Sequence, residues 1–60
     1  MTPDEFRAAL AGFGLSQTRC AALMRTDPRT VRRWAAGDVP VPGPVIVLLE
    51  AWQRHGVPEG

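Results

Sequence analysis

The stretch LSQTRCAALMRTDPRTVRRWAAG, residues 15–37, decides the fold because it contains the start and end signals of two short helices. Ser16 and Asp27 each carry a side-chain oxygen that can accept a free backbone N–H of a first helical turn. Pro28 suits the first position of the second helix, since its missing N–H would have no partner there. Gly37 can adopt the left-handed conformation that closes a helix. The sequence therefore predicts two helices joined by a very short turn, at about residues 17–24 and 28–36.

Apolar residues recur every three or four positions in both predicted helices, which places them on one face of each helix. They are Cys20, Ala21 and Met24 in the first helix and Val31, Trp34 and Ala35 in the second. The opposite face of the second helix then carries Pro28, Arg29, Arg32, Arg33 and Ala36. A face with three arginines indicates a polyanion such as DNA as its partner.

The stretch also holds a combination of residues that is fairly specific for so small a motif: Leu15-Ser16-Gln17, Ala21, Met24, Thr30-Val31-x-Arg33-Trp34 and Gly37. This combination resembles, without a gap, the helix-turn-helix of the lambda-repressor-like family, also called the Cro or XRE type. The resemblance covers about residues 3–54 and implies an all-α domain of four or five short helices. The DNA-binding domain is expected at residues 1–56, with the motif at about 16–37 and a loose C-terminal tail at 57–60.

The resemblance also implies a role for individual residues. Those expected to contact base edges in the major groove are Pro28, Arg29, Arg32 and Arg33. Those expected to contact DNA phosphates are Gln17, Arg19, Arg25, Asp27 and Thr30. The chain departs from the family at Arg25, where a turn glycine is usual, and at Thr26, where a buried Val or Ile is usual. Because a non-glycine residue at positive φ costs about 1–2 kcal/mol, we expect a slightly rebuilt turn there.

A further helix is predicted before the motif, opened by a capping box in which Thr2 is the cap, Pro3 takes the first helical position and Glu5 bonds back. Its apolar stripe and its end are formed by Phe6, Leu10, Phe13 and Gly14. After the motif, the three prolines within residues 40–44 exclude both helix and central strand. They predict an extended connector over residues 38–44.

The last helix is predicted over residues Val45 to His55, started by Pro44 or its neighbour, and it has more apolar residues than one buried face requires. Its core stripe is expected to be Val45, Leu48, Leu49 and Trp52. Apolar residues left over on a small domain usually indicate a partner, and the resembling family usually dimerises through this helix. The expected homodimer interface is formed by some of Ile46, Val47, Glu50, Ala51 and Arg54.

Charge is distributed unevenly along the chain. Residues 15–37 contain five arginines and one aspartate, a net charge of +4, while the other residues contain two arginines and five carboxylates, a net charge of −3. The sum is the +1 of the whole chain. Such an asymmetry directs a polyanion to one face of the protein. All seven basic residues are arginines, which suits contacts to guanine and phosphate, although a GC-rich genome explains most of this bias.

Three classes of function compete for this sequence. The first is a dimeric repressor that binds a palindromic operator, as in the small autorepressors of phage, mobile-element or anti-CRISPR operons. The second is an antitoxin or adaptor that uses the same fold to bind protein, since a fold does not determine a function. An enzyme is the third, and it is disfavoured because the sequence shows neither paired catalytic groups nor a phosphate loop.

Other features of the sequence restrict cofactors and location. A single cysteine, Cys20, excludes an internal disulfide and is expected in the core. No metal site, cofactor or small-molecule ligand is expected, because His55 has no second ligand at a suitable spacing. The chain shows neither a membrane span nor a signal peptide, so we expect a cytoplasmic protein, bacterial or phage-encoded and associated with the nucleoid.

Overall fold

Four α-helices and no strand make up residues 1–58, the part of the chain that a computed structural model describes. The helices are α1 (Pro3–Phe13), α2 (Gln17–Met24), α3 (Pro28–Ala36) and α4 (Gly43–His55). The predicted all-α class with four helices is confirmed, and the described residues contain no fifth helix. Both motif helices have the bounds that the sequence predicts.

Caps define the start of α1. The Thr2 hydroxyl accepts the Glu5 N–H at 3.1 Å, and a Glu5 carboxylate oxygen accepts the Thr2 N–H at 2.7 Å. These bonds to Thr2 hold the pKa of Glu5 below its usual value. Because they favour the charged carboxylate, their contribution to stability is present above the ordinary carboxyl pKa and is lost as the pH falls through the lowered value.

The starts of α2 and α3 have the predicted caps as well. The Ser16 hydroxyl accepts the Arg19 N–H at 3.0 Å, and the Asp27 carboxylate accepts the Arg29 N–H at 2.8 Å. Gly14 and Gly37 close α1 and α3 in the left-handed conformation, with φ of 71° and 84°. Local capping signals therefore set both ends of α1 and α3 and the start of α2.

The helix α4 begins at Gly43, which is a neighbour of Pro44 and lies two residues before Val45. Pro42 is its N-cap, without a side-chain bond, and the Pro42 carbonyl accepts the N–H groups of Val45 and Ile46 at 3.0 and 3.1 Å. Pro44 fits inside the first turn because the N–H it lacks would have no partner there. Both prolines that precede Val45 are thus compatible with a helix that begins at Gly43.

A single hydrophobic core lies between the helices, and α3 packs against both α1 and α2. Edge-to-face ring pairs join Phe6 to Trp34 and Phe13 to Trp52, each with ring centroids 6.0 Å apart. The buried residues are Phe6, Leu10, Cys20, Ala21, Val31, Trp34, Ala35, Val41, Leu49 and Trp52. Cys20 is thus in the core as predicted, and burial raises the pKa of its thiol.

Two parts of the chain contribute more to the core than the sequence predicts. Val41 of the extended connector is buried, between Pro40 and Pro42, which are exposed. Val57, predicted to belong to a loose tail, is half-buried and packs against the core. Pro58 is exposed, and the last two residues of the predicted tail lie outside the described residues.

The start of α1 packs closely on the end of α3. A Cβ built on Gly37 would lie 2.9 Å from Cγ of Pro3, whereas a Cβ on Gly14 would meet no atom within 4 Å. Arg7 of α1 also donates from Nη1 to the Ala35 carbonyl near the end of α3, and from Nη2 to the Asp4 carboxylate. A cation at the C-terminal end of a helix is stabilising, so Arg7 helps to hold α3 against α1.

The two glycines provide a matched test of this packing. Gly14→Ala places a Cβ at positive φ in open space and should lower the free energy of unfolding by about 1–2 kcal/mol. Gly37→Ala adds a contact with the rigid Pro3 ring, so its loss should exceed that of Gly14→Ala by about 1–3 kcal/mol. Urea unfolding followed by tryptophan fluorescence measures both. Equal losses would show that the Pro3 contact has no energetic weight.

Candidate nucleic-acid interface

The two faces of α3 differ completely in burial. Val31, Trp34 and Ala35 are in the core. All four residues predicted to contact bases are exposed on the other side, namely Pro28, Arg29, Arg32 and Arg33. Ala36 completes this exposed surface, which we call the arginine face, and Thr30 is half-buried at its border. The predicted orientation of the helix is therefore present in the structure.

The guanidinium groups of the arginine face are not neutralised by carboxylates within residues 1–58. The ion pair found in that part of the chain joins Arg7 to Asp4 in α1. Asp27 is the only acidic residue within residues 15–37, and its carboxylate accepts the Arg29 backbone N–H at 2.8 Å. Three exposed cations, Arg29, Arg32 and Arg33, thus share one helix surface. Such a surface attracts an anion of matching size.

The residues predicted to contact phosphates lie around this helix, at the start of α2 and in the turn. Gln17 is half-buried at the first position of α2, and Arg19 is exposed one residue before the buried Cys20. Arg25 is exposed in the turn between α2 and α3. The structure thus places all of them on the α2–α3 part of the molecule.

Arg25 has a backbone conformation that favours glycine. Its φ of 55° and ψ of 43° lie in the left-handed region, and it is the only non-glycine residue with positive φ among residues 1–58. The conformation allows the Thr26 N–H to bond to the Ala21 carbonyl at 2.9 Å, which closes α2. We expected the turn to be slightly rebuilt so that this residue avoids the strain. Arg25 instead adopts the strained left-handed conformation itself.

The predicted dimer residues have unequal exposure on α4. Val47 is 66% exposed, the most exposed of the large apolar residues described. Glu50 and Arg54 are exposed too, and Ala51 is half-buried. Ile46 is half-buried and packs against the core of its own chain, so it has less surface left for a partner than the sequence suggests.

No three His, Cys, Asp or Glu side chains within residues 1–58 come together as metal ligands. The four described helices include none long and apolar enough to cross a membrane. Comparison with models of protein families, with curated proteins and with solved structures gives no match for this chain. The resemblance to lambda-repressor-like proteins therefore stays a prediction that rests on the residues themselves.

Replacing Arg25 separates its backbone strain from its side chain. Arg25→Gly should raise the free energy of unfolding by about 0.5–1 kcal/mol, since relief of the left-handed strain exceeds the entropy that glycine adds to the unfolded chain. Arg25→Ala keeps a Cβ at positive φ and should change stability little. Thermal unfolding followed by circular dichroism compares them. A glycine variant no more stable than the alanine variant would contradict the strain at Arg25.

Proposed function

We propose that this chain binds double-stranded DNA sequence-specifically, with the arginine face of α3 in the major groove. One observation carries the proposal: exposed arginines without described carboxylate partners occupy one side of a helix whose other side is buried in the core. A rigidly held helix fits the major groove, and arginine forms paired hydrogen bonds with guanine O6 and N7. The arginine face thus has both the charge and the chemistry of a base-reading surface.

The residues around α3 suit contacts with the DNA backbone. Arg19 and Arg25 would supply cations to phosphates, and Gln17 would donate from its amide. Such contacts hold the protein in register on the duplex and add affinity for any sequence. Asp27 fits a phosphate contact poorly, because a carboxylate and a phosphate are both anions and repel each other. We assign Asp27 instead to capping α3 and fixing the backbone of Arg29.

A homodimer would set the length of the DNA site that the protein occupies. Two copies joined through α4 would place two α3 helices in successive major grooves, roughly 34 Å apart on one side of the duplex. The exposed Val47 and its charged neighbours Glu50 and Arg54 are the α4 surface available for this contact. A dimer bound across a promoter would repress by excluding polymerase, and its own operon is the first candidate target.

Single arginine substitutions test the base-reading role. Arg29→Ala and Arg33→Ala should each weaken specific binding by about 1–3 kcal/mol and relax discrimination at one base position. Titration against the upstream region of its own gene, with unrelated DNA as competitor, measures the loss. Gln53→Glu is a matched control, because it lowers the net charge by the same amount on the exposed surface of α4. If the control weakens specific binding equally, the arginines contribute only through net charge and do not read bases.

The dimer contact is tested at Val47. Val47→Asp should shift the protein from dimer to monomer in sedimentation and leave its helical content unchanged, because the side chain already faces solvent. Val39→Asp is the matched control, since Val39 is another exposed valine and lies outside α4. Ile46 is unsuitable for this test because it packs against the core. A Val47→Asp protein that stays dimeric would place the interface elsewhere.

The protein-binding alternative predicts a different result for the same arginines. A helix used only to bind protein does not require Arg29, Arg32 and Arg33 to be exposed together. If the chain binds its upstream region no better than competitor DNA, a pull-down with the product of the neighbouring gene decides between an operator elsewhere and an antitoxin or adaptor.

A further inference from the structure

Pro28 and Arg29 lie next to each other at the start of the arginine face, and both are exposed. We propose that this pair reads a 5-methylated pyrimidine next to a guanine, with Pro28 on the methyl group and Arg29 on the guanine. The inference rests on the proposed DNA binding through α3 and adds the chemical class of the base step that is read. It also makes binding depend on a methyl group.

Pro28 has a surface that matches only one kind of group in the major groove. Its ring carries no hydrogen-bond donor or acceptor, and its position at the start of α3 leaves it exposed rather than packed in the core. The base edges in the major groove present donors, acceptors and one apolar group, the 5-methyl of thymine. A proline ring against that methyl buries apolar surface on both sides, whereas a proline ring against any other edge leaves polar atoms without partners.

Arg29 has a fixed backbone and an available guanidinium with which to bind the guanine of the same base step. Its backbone N–H is bonded to the Asp27 carboxylate at 2.8 Å, which fixes the first turn of α3. Its guanidinium has no carboxylate partner in the described part of the chain. Consecutive residues of an α-helix project in directions about 100° apart, because one turn takes 3.6 residues. Pro28 and Arg29 therefore face different positions along the groove, as contacts to two adjacent base pairs with a rise of about 3.4 Å require.

The proposal predicts a defined response to a single methyl group. Removing the methyl contact should weaken binding about fourfold, the factor that corresponds to exposing one CH₂-sized group. Uracil should therefore be weaker than thymine at this position, although both pair with adenine and present the same polar groups. If the preferred base is cytosine, its 5-methylation should strengthen binding by a similar factor. The hydrogen bonds of Arg29 to the adjacent guanine would be unchanged in both cases.

The test begins with the full-length chain and a pool of randomised duplex DNA, from which the preferred site is selected and sequenced. Each thymine of that site is then replaced singly by uracil, and each cytosine next to a guanine by 5-methylcytosine, and affinities are measured by titration. We expect one methyl-dependent position in each half-site, adjacent to a guanine whose recognition is lost in Arg29→Ala.

Two proline variants connect the effect to Pro28. Pro28→Ser should reduce the ratio of affinities for thymine and uracil to about one, because the apolar ring is gone. Pro44→Ser is the matched control, since Pro44 is also an exposed proline in the first turn of a helix, here α4, and it should keep the wild-type ratio. Circular dichroism checks that each variant is folded. If a variant does not fold, the ratio of the wild-type affinities for thymine and uracil tests the proposal by itself.

The possible outcomes separate this inference from the proposed function. A selection that returns no preferred sequence would overturn sequence-specific DNA binding and the methyl reading with it. A clear preferred site that tolerates every uracil and ignores cytosine methylation would overturn the methyl reading alone. A methyl effect that persists in Pro28→Ser would assign the contact to another residue and overturn the role of Pro28.

Discussion

The burial of one face of α3 is the interaction on which the rest of the structure depends. Val31, Trp34 and Ala35 are in the core, and α3 packs against both α1 and α2. Because these apolar residues occupy one side of the helix, the arginines must lie on the other. The same packing that stabilises the domain therefore creates its charged surface. A helix that is held from two sides also fixes the backbone positions from which its exposed side chains project, as recognition of a rigid partner requires.

Short connections between the first three helices depend on left-handed residues at their ends. Gly14 takes this conformation after α1 without a steric cost, whereas Arg25 takes it after α2 with a side chain present. Strained residues of this kind persist when another requirement favours their side chain. An additional cation next to the arginine face is such a requirement if the partner is DNA. Stability and binding would then make opposite demands on Arg25.

A domain of sixty residues is only marginally stable, because a small chain buries only about 60% of its unfolded surface. The connector and the region after α4 increase the buried apolar surface, since Val41 lies in the core and Val57 packs against it. Arg7 adds a bond between α1 and the end of α3. The exposed Val47 remains as apolar surface that the single chain does not use. A second copy that covers it would increase the stability of both.

Sequence alone determined the four helices, apart from the exact start of α4, and the two faces of α3. Caps, prolines and glycines act on the backbone over three or four residues, so Thr2, Ser16 and Asp27 could be assigned before any tertiary contact was known. The exposure of the residues predicted to contact bases followed from the same periodicity. Tertiary structure alone decided that Val41 is buried, that Arg7 bonds to Ala35 and that Ile46 packs inward. These features depend on which groups of distant segments lie opposite each other in space, and the local spacing of residues carries no signal for that.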